Sequence, residues 1–462
     1  MDINILIEKL AQLSKTKRIE INSKINETVR HENLKLGDTY LKLLPLPLVV
    51  EKTAFSDLNE RLKLLAELFV LAEKYALSSE GADIYNRLEN SLSEGGKKLL
   101  ARCNFESDFS LKRRYKRIDA FFDCVTGRAG VIEVNQAAPL ATNYYDMSQK
   151  IVKYVLEELG FDYLPCFVAP RLLDWFIDEY RERMQDKITL PKVIALVREH
   201  GYPAKMTDLP GVAKHCEKCA LEKYGEEIKI VPCYPYEISL SSNNIMLGDL
   251  KIDMIWRNSV YMDSYRSQGL NISDYETILS NCQDFLVINS ERAWLTRTKE
   301  FFALFADEKL YSKLGFDVNQ QQILKDLIPL TVNLNRNPDY IDMILEEKDL
   351  WISKPSDSGS GKGIVFGHSF DRDDWRQIIN ERTADGFVFQ RKITPPSLDT
   401  VLIDDNGDIK NITVDYDFNP HHVNGAFSYS ALVRALPRAG GEENFATMNL
   451  SAGGLLYPIA TV

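Results

Sequence analysis

Along residues 57–77, DLNERLKLLAELFVLAEKYAL, apolar positions recur at steps of three and four with polar positions between, which predicts an amphipathic helix. The opening MDINILIEKLAQLSKTKR has the same spacing, an early acid and no continuous apolar core. It reads as a helix and not as a secretory leader. The two prolines of LPLPLVV (44–50) break the helical run. The first hundred residues are thus expected to be mostly helical. From about residue 115 the period falls to two. RIDAFFD (117–123) and AGVIEVNQ (129–136), joined by a turn at Gly127, predict a hairpin with one apolar face. A helix, DMSQKIVKYVLEELG, follows and stops at Gly160.

Between 190 and 290 the two periods alternate. KVIALVRE, IKIVPCY, IDMIWRN and DFLVINS read as strands, with the helix LPGVAKHCEKCALEKYG and a polar helix between them. This alternation predicts an open α/β sheet. SLSSNN (239–244) reads as a loop, and ERAWLTRTKEFFALFADE (291–308) as an amphipathic helix. Beyond 350 come WISKPSDSGSGKGIVFG, a helix DRDDWRQIINERTA, the strand GFVFQRKI, and then strands and loops to MNLSAGGLLYPIATV.

Composition narrows the class. The 462 residues are 45% hydrophobic and 27% charged, as in globular chains of several domains. The net charge of −11 makes the chain a poor candidate for sequence-blind nucleic-acid binding, which runs on phosphate neutralisation, and leaves room only for local basic pockets. No run approaches the ~18 apolar residues of a membrane span. Seven scattered cysteines fit a reducing cytoplasm better than a disulfide framework. His215, Cys216, Cys219 and Cys233 contain one C-x-x-C but not the second that a structural zinc site would show. They read as ordinary residues.

Two stretches carry candidate chemistry. Arg117 and Asp119 alternate on one predicted strand, and Glu133 and Asn135 on the next. An antiparallel pairing would gather all four on one sheet face. Oxygen-only donors suit Mg²⁺ shared with substrate phosphates, and arginine beside them suits a phosphoryl group. The bland alternative is a solvated face with an ion pair. In WISKPSDSGSGKGIVFG, a Ser/Gly loop (Ser358, Gly359, Ser360, Gly361, Lys362, Gly363) lies between two strand-like runs, with Lys354 at the end of the first. Glycines let backbone N–H groups approach phosphates, and a fixed ammonium can reach them. The loop does not match the Walker pattern, and a flexible hairpin tip is its alternative. Val388 to Gln390, in GFVFQRKI, offers a backbone that could pair with a purine edge, and a plain buried strand is its alternative. Lys299 is a solvated lysine or a further nucleotide contact. Arg257 ends a strand of the α/β sheet, where ligands bind, and Arg434 stands in an apolar strand. His421 and His422 read as loop residues.

Together, RIDAFFD…GVIEVNQAAP, DMIWRN, TRTKEFFALFADE, WISKPSDSGSGKGIVFG, GFVFQRKI and ALVRALP…NLSAGGLLYPIATV resemble the circularly permuted ATP-grasp proteins. That group includes glutathionylspermidine synthetase-like carboxylate–amine ligases and, more distantly, eukaryotic-type glutathione synthetase. The metal-ligand strands precede the phosphate loop, as in permuted members. The resemblance implies an α/β (α+β) ATP-grasp fold with a Rossmann-like pre-ATP-grasp domain and a helical N-terminal region. It divides the chain into a helical region (1–110), a metal-ligand hairpin and helix (111–165) packing with 400–462, a substrate domain (166–290), a nucleotide-binding lobe (291–400) and the C-terminal part of the core (401–462).

The implied chemistry phosphorylates a carboxylate with ATP and lets an amine attack the acyl phosphate. Asp119, Glu133 and Asn135 would hold Mg²⁺, and Arg117 would steady the transferred phosphoryl group. Lys299 and Lys354 would contact ATP phosphates beneath the loop through Gly363. Val388 and Gln390 would meet adenine, and Arg257 and Arg434 would anchor a carboxylate. The implied partners are a small-molecule acid and amine. The chain departs from the pattern in three places. The step from Asp119 to Glu133 is longer than in glutathione synthetase. Asp357 and Ser358 compete for the place of a further acidic metal ligand, and Arg391 stands where an acid is expected. The alternatives are an ATP-grasp phosphotransferase that forms no amide and a nucleotide-binding module without turnover.

Overall fold

In the computed structural model the described residues are all except 1, 102–107, 137–138, 199–207, 259–262, 282–283, 359–360, 439–447, 449 and 451–452. The helix expected at 57–77 spans Lys52–Ala76 and buries Phe55, Leu58, Leu62, Leu65, Phe69 and Ala72, the three-and-four stripe of the sequence. That stripe covers an antiparallel sheet with strand order Ala426–Leu432, Asn419–Val423, Lys116–Phe122, Ala129–Asn135. The Phe55 and Phe418 rings meet edge-on at 5.1 Å on that face. Gly127 turns the hairpin at φ +72°, a conformation costly for other residues.

The alternating segment forms a parallel sheet ordered Val287–Ile288, Met254–Asn258, Val193–Arg198, Lys229–Cys233. Such strands are buried on both faces, hence their continuous apolar runs. A third sheet, ordered Thr331–Val332, Val388–Arg391, Trp351–Lys354, Val365–Phe366, carries the Ser/Gly loop between its last two strands. A fourth antiparallel sheet runs from Ser397 to Leu456. The N-terminal helices Ile3–Gln12 and Lys15–His31 form as expected. The proline-broken segment contributes a strand, Leu48–Val50, paired in parallel with Ile459–Thr461.

Three local expectations fail. SLSSNN is a hairpin, Ile238–Ser241 with Asn244–Leu247, and only Ser242 and Asn243 turn, both with positive φ. Its strands are too short to show a period. Residues 291–308 do not form one amphipathic helix. They break into short turns at Glu291–Trp294, Glu300–Ala303 and Leu304–Ala306. Trp294, Thr298, Lys299, Glu300, Phe301 and Phe302 are all buried, so the segment has no solvent face. The Lys299 N–H donates to Ser356 O, at 2.9 Å, in the loop hairpin. His421 and His422 lie on the strand Asn419–Val423, with the Tyr145 ring 5.3 Å from His421 and the Phe427 ring 4.9 Å from His422. Burial pushes both imidazoles down, His421 to about 3, so they stay uncharged.

Glu73 on the long helix ties these parts together. It pairs with Arg114 Nη1 and with Arg292 Nε, both at 3.0 Å, and is 1% exposed. Removing one buried partner strands the others. Glu73→Ala is expected to cost about 3 kcal/mol or more, read as a lower urea midpoint at unchanged slope.

Candidate active site

The strands Lys116–Phe122 and Ala129–Asn135 pair with Arg117 opposite Asn135 and Asp119 opposite Glu133. Opposed residues of antiparallel strands share a face. A bulge between Asp119 and Ala120 ends this register, and there Asn419 Oδ1 accepts the Ala120 N–H at 3.2 Å. Arg117 grips Asp119 with two bonds, Nε to Oδ1 at 2.8 Å and Nη2 to Oδ2 at 3.1 Å. Arg434 Nη2 reaches Asp119 Oδ2 at 3.2 Å, and Arg434 Nε reaches Asp417 Oδ2 at 2.6 Å. Asp417 also accepts from Asn419 Nδ2 at 2.8 Å. Burial alone would raise the Asp119 carboxyl, but Arg117 and then Arg434 hold it below the usual range. Burial holds Asp417 above its ordinary value in spite of Arg434.

Glu133 is more open, with a third of its side chain exposed, and faces Lys299 Nζ at 3.6 Å. The same Nζ donates to Ser358 O at 2.6 Å. Lys299 therefore spans the acidic hairpin and the Ser/Gly loop. Lys354 Nζ donates to Gln390 Oε1 at 2.6 Å, and Gln390 Nε2 to Thr331 Oγ1 at 2.9 Å. Burial, helped by the charge of Lys299, pushes Lys354 down to about 7. In the loop, Gly361 and Gly363 take positive φ. A Cβ on Gly363 would lie 2.8 Å from Pro355 Cγ, so the bend needs glycine twice over. The Gly363 carbonyl accepts from Arg382 Nη1 at 2.7 Å, and Ser358 Oγ donates to Lys362 O at 3.3 Å. Gly359 and Ser360 lie outside the described residues.

The structure thus gathers Arg117, Asp119, Glu133, Asn135, Arg434, Lys299, Lys354, Gln390 and the arms of the loop. Arg257 is buried on the parallel sheet and ion-paired with Glu291 at 3.4 Å. Val388–Arg391 is a central strand with both edges paired. Its backbone is consequently not free for a purine edge. Val388 and Gln390 can act only through side chains, on the face shared with Lys354. Asp357, a candidate metal ligand, is instead taken up by Ser93 N–H and Arg297. Cys216 Sγ donates to Ala169 O at 3.3 Å, His215 lies 3.1 Å from Asp146, and Cys233 is buried in a strand. Among the described residues no three His, Cys, Asp or Glu side chains form a metal-binding group. Asp119, Glu133 and Asn135 are oxygen donors of the kind a hard cation takes, but both Asp119 oxygens are held by Arg117 and Arg434, which leaves Glu133 as the open carboxylate.

Sequence reasoning missed Asp417 and Asn419. The signal was present in VDYDFN, where Asp415, Asp417 and Asn419 alternate. It becomes informative only once the bulge and Arg434 are known.

No family profile and no curated protein matches the sequence. The fold is shared with a glutathione synthetase-like effector from Globodera pallida in its apo form, at TM-score 0.61 and 12% identity over 98% of each chain. That likeness shows the fold alone, a mixed α/β architecture. A putative gamma-glutamylcysteine synthetase from Methylobacillus flagellatus aligns over 83% of this chain and 88% of its own, at TM-score 0.35 and 11% identity. D-alanyl-alanine synthetase A from Vibrio cholerae aligns over 49% and 68%, at 0.26 and 13%. These two likenesses are too weak to define a fold.

Lys354 generates a pH prediction. The unfolded chain holds its proton to about pH 10, whereas the folded protein releases it near 7. The unfolded state binds more protons between those values, so this group makes stability rise with pH by up to about 1.4 kcal/mol per unit. Urea denaturation of nucleotide-free protein at pH 7, 8 and 9 should show that rise in wild type relative to Lys354→Met. Parallel pH dependences in the two proteins would refute it.

Proposed function

We propose that this chain is an ATP-dependent carboxylate–amine ligase of the permuted ATP-grasp type, acting on small amino-acid-like or peptide substrates. The observation that carries this reading is the double contact of Lys299, with Glu133 on the acidic hairpin and with the Ser358 carbonyl on the loop. Phosphate charge placed there meets two lysines, two arginines and a pair of carboxylates able to share a cation.

In the first step a carboxylate oxygen attacks the γ-phosphorus of ATP and ADP leaves. In the second the amine nitrogen attacks the acyl carbon, phosphate leaves and the nitrogen loses a proton. Arg117 faces the transferred phosphoryl group, held in place by its two bonds to Asp119. Lys299 and Lys354 bind the β- and γ-phosphates, and the loop through Gly359, Ser360, Gly361, Lys362 and Gly363 covers them. Mg²⁺ held by Asp119, Glu133 and Asn135 would neutralise charge on the leaving ADP. Val388 and Gln390 lie on the adenine side, Arg434 faces the acid substrate, and Arg257, paired with Glu291 on the parallel sheet, would reach that acid only by leaving its partner. Positioning and charge neutralisation supply most of the catalysis in such a site. The described cysteines are all free. No helix among the described residues is long and apolar enough to cross a membrane.

A coupled ADP-release assay with Mg²⁺, ATP and pooled amino acids, di-acids, peptides and polyamines tests the proposal. It should show turnover that needs an acid and an amine together, with a product lighter than their sum by one water. Glu133→Gln should lower kcat about 10²-fold or more. A product heavier by phosphate would identify a phosphotransferase instead, and full activity of Glu133→Gln would remove the metal assignment.

A further inference from the structure

The Ser/Gly loop is held at both arms. Arg382 secures the outgoing arm at Gly363. The incoming arm is secured from far back in the chain. Asp357 Oδ2 accepts the Ser93 N–H at 2.9 Å, and Asp357 Oδ1 accepts from Arg297 Nη1 at 3.1 Å. The Asp357 side chain is only 4% exposed. The Arg297 guanidinium lies over the Trp294 ring at 4.2 Å, which fixes its direction. Ser93 follows the helix Ala82–Asn90, itself bound to the Lys299 segment. Ser91 Oγ donates to Thr298 Oγ1 at 3.1 Å. Arg87 pairs with Glu300 and donates to Ala303 O at 2.9 Å.

We propose that Asp357 is a positioning residue that docks the phosphate loop onto Ser93 and Arg297, making the N-terminal helices part of the nucleotide site. The inference rests on the ATP-binding reading above and assigns a role to the first hundred residues. Its logic is electrostatic and geometric. A free carboxylate beside polyphosphate would repel it, whereas one paired with Arg297 does not. The next residue, Ser358, presents the carbonyl that Lys299 holds, and Lys299 faces Glu133. A shift at Asp357 therefore passes to the lysine that joins loop and metal carboxylates.

Two measurements on the full chain test this: Mg·ATP binding by calorimetry, and tryptic cleavage after Lys362 in nucleotide-free protein. Asp357→Asn should weaken Mg·ATP about tenfold and speed that cleavage about fivefold, with the urea midpoint kept. Asp357→Glu should restore part of both. Arg297→Met, which leaves the Asp357 carboxylate unpaired beside the phosphates, should weaken Mg·ATP at least as much as Asp357→Asn, and the double variant should be no worse than Arg297→Met alone, because the stranded charge is then gone. Unchanged cleavage in Asp357→Asn would overturn the proposal. Faster cleavage with unchanged Mg·ATP affinity would also overturn it, leaving a purely structural contact. If wild type binds no Mg·ATP, the ligase reading and the nucleotide role fall together, while the cleavage comparison still decides whether the tether exists.

Discussion

The buried run of alternating charges Arg117, Asp119, Arg434 and Asp417 is the constraint on which the rest depends. Charges this far from water persist only when each faces an opposite charge at hydrogen-bond distance. Arg117 and Asp119 share one strand, and Asp417 and Arg434 lie about three hundred residues further along the chain. Their pairing therefore sets where the acidic hairpin, the 417–419 bend and the strand starting at Arg434 must meet. Asn419 completes the arrangement by capping the bulge at Ala120. With Asp119 gripped by two guanidiniums, Glu133 is left as the open carboxylate, and it is Glu133 that meets Lys299.

The site is thus a junction and not a pocket within one unit. The hairpin supplies oxygens, the third sheet supplies Lys354 and the loop, and the broken segment at 291–306 supplies the lysine between them. Within that broken segment Lys299, Glu300 and Arg297 each serve a different partner. The N-terminal region supports this junction through Glu73, Arg87 and Ser93. Its contacts are polar, buried at Glu73, part-buried at Arg87 and exposed at Ser93, so its position is specified by direction as well as by apolar area.

Most elements were legible because their periodicity is local. The Lys52–Ala76 stripe, the hairpin with Gly127 at its turn and the parallel strands follow from spacing and turn chemistry alone. The likeness of Arg117, Asp119, Glu133 and Asn135 to a ligand face was equally readable, because alternation on two strands leaves one pairing that joins them. The failures share one cause. His421 and His422 look like loop residues until a neighbouring strand recruits their backbone. Residues 291–308 look amphipathic until every face is covered. Val388–Arg391 is the strand the sequence suggests, and the pairing on its two edges favours the plain buried strand over a purine-pairing backbone.

By itself the sequence determined the types of element, the two chemically loaded stretches and their order along the chain, since these depend on neighbours a few residues apart. Only the tertiary structure decided that Asp357 turns to Ser93 and Arg297, that Asp417 completes the buried charges, and that Lys299 bridges hairpin and loop. Those outcomes depend on which charges and donors find partners across 17 to 315 residues of chain. Desolvation enforces that choice, and no local pattern records it.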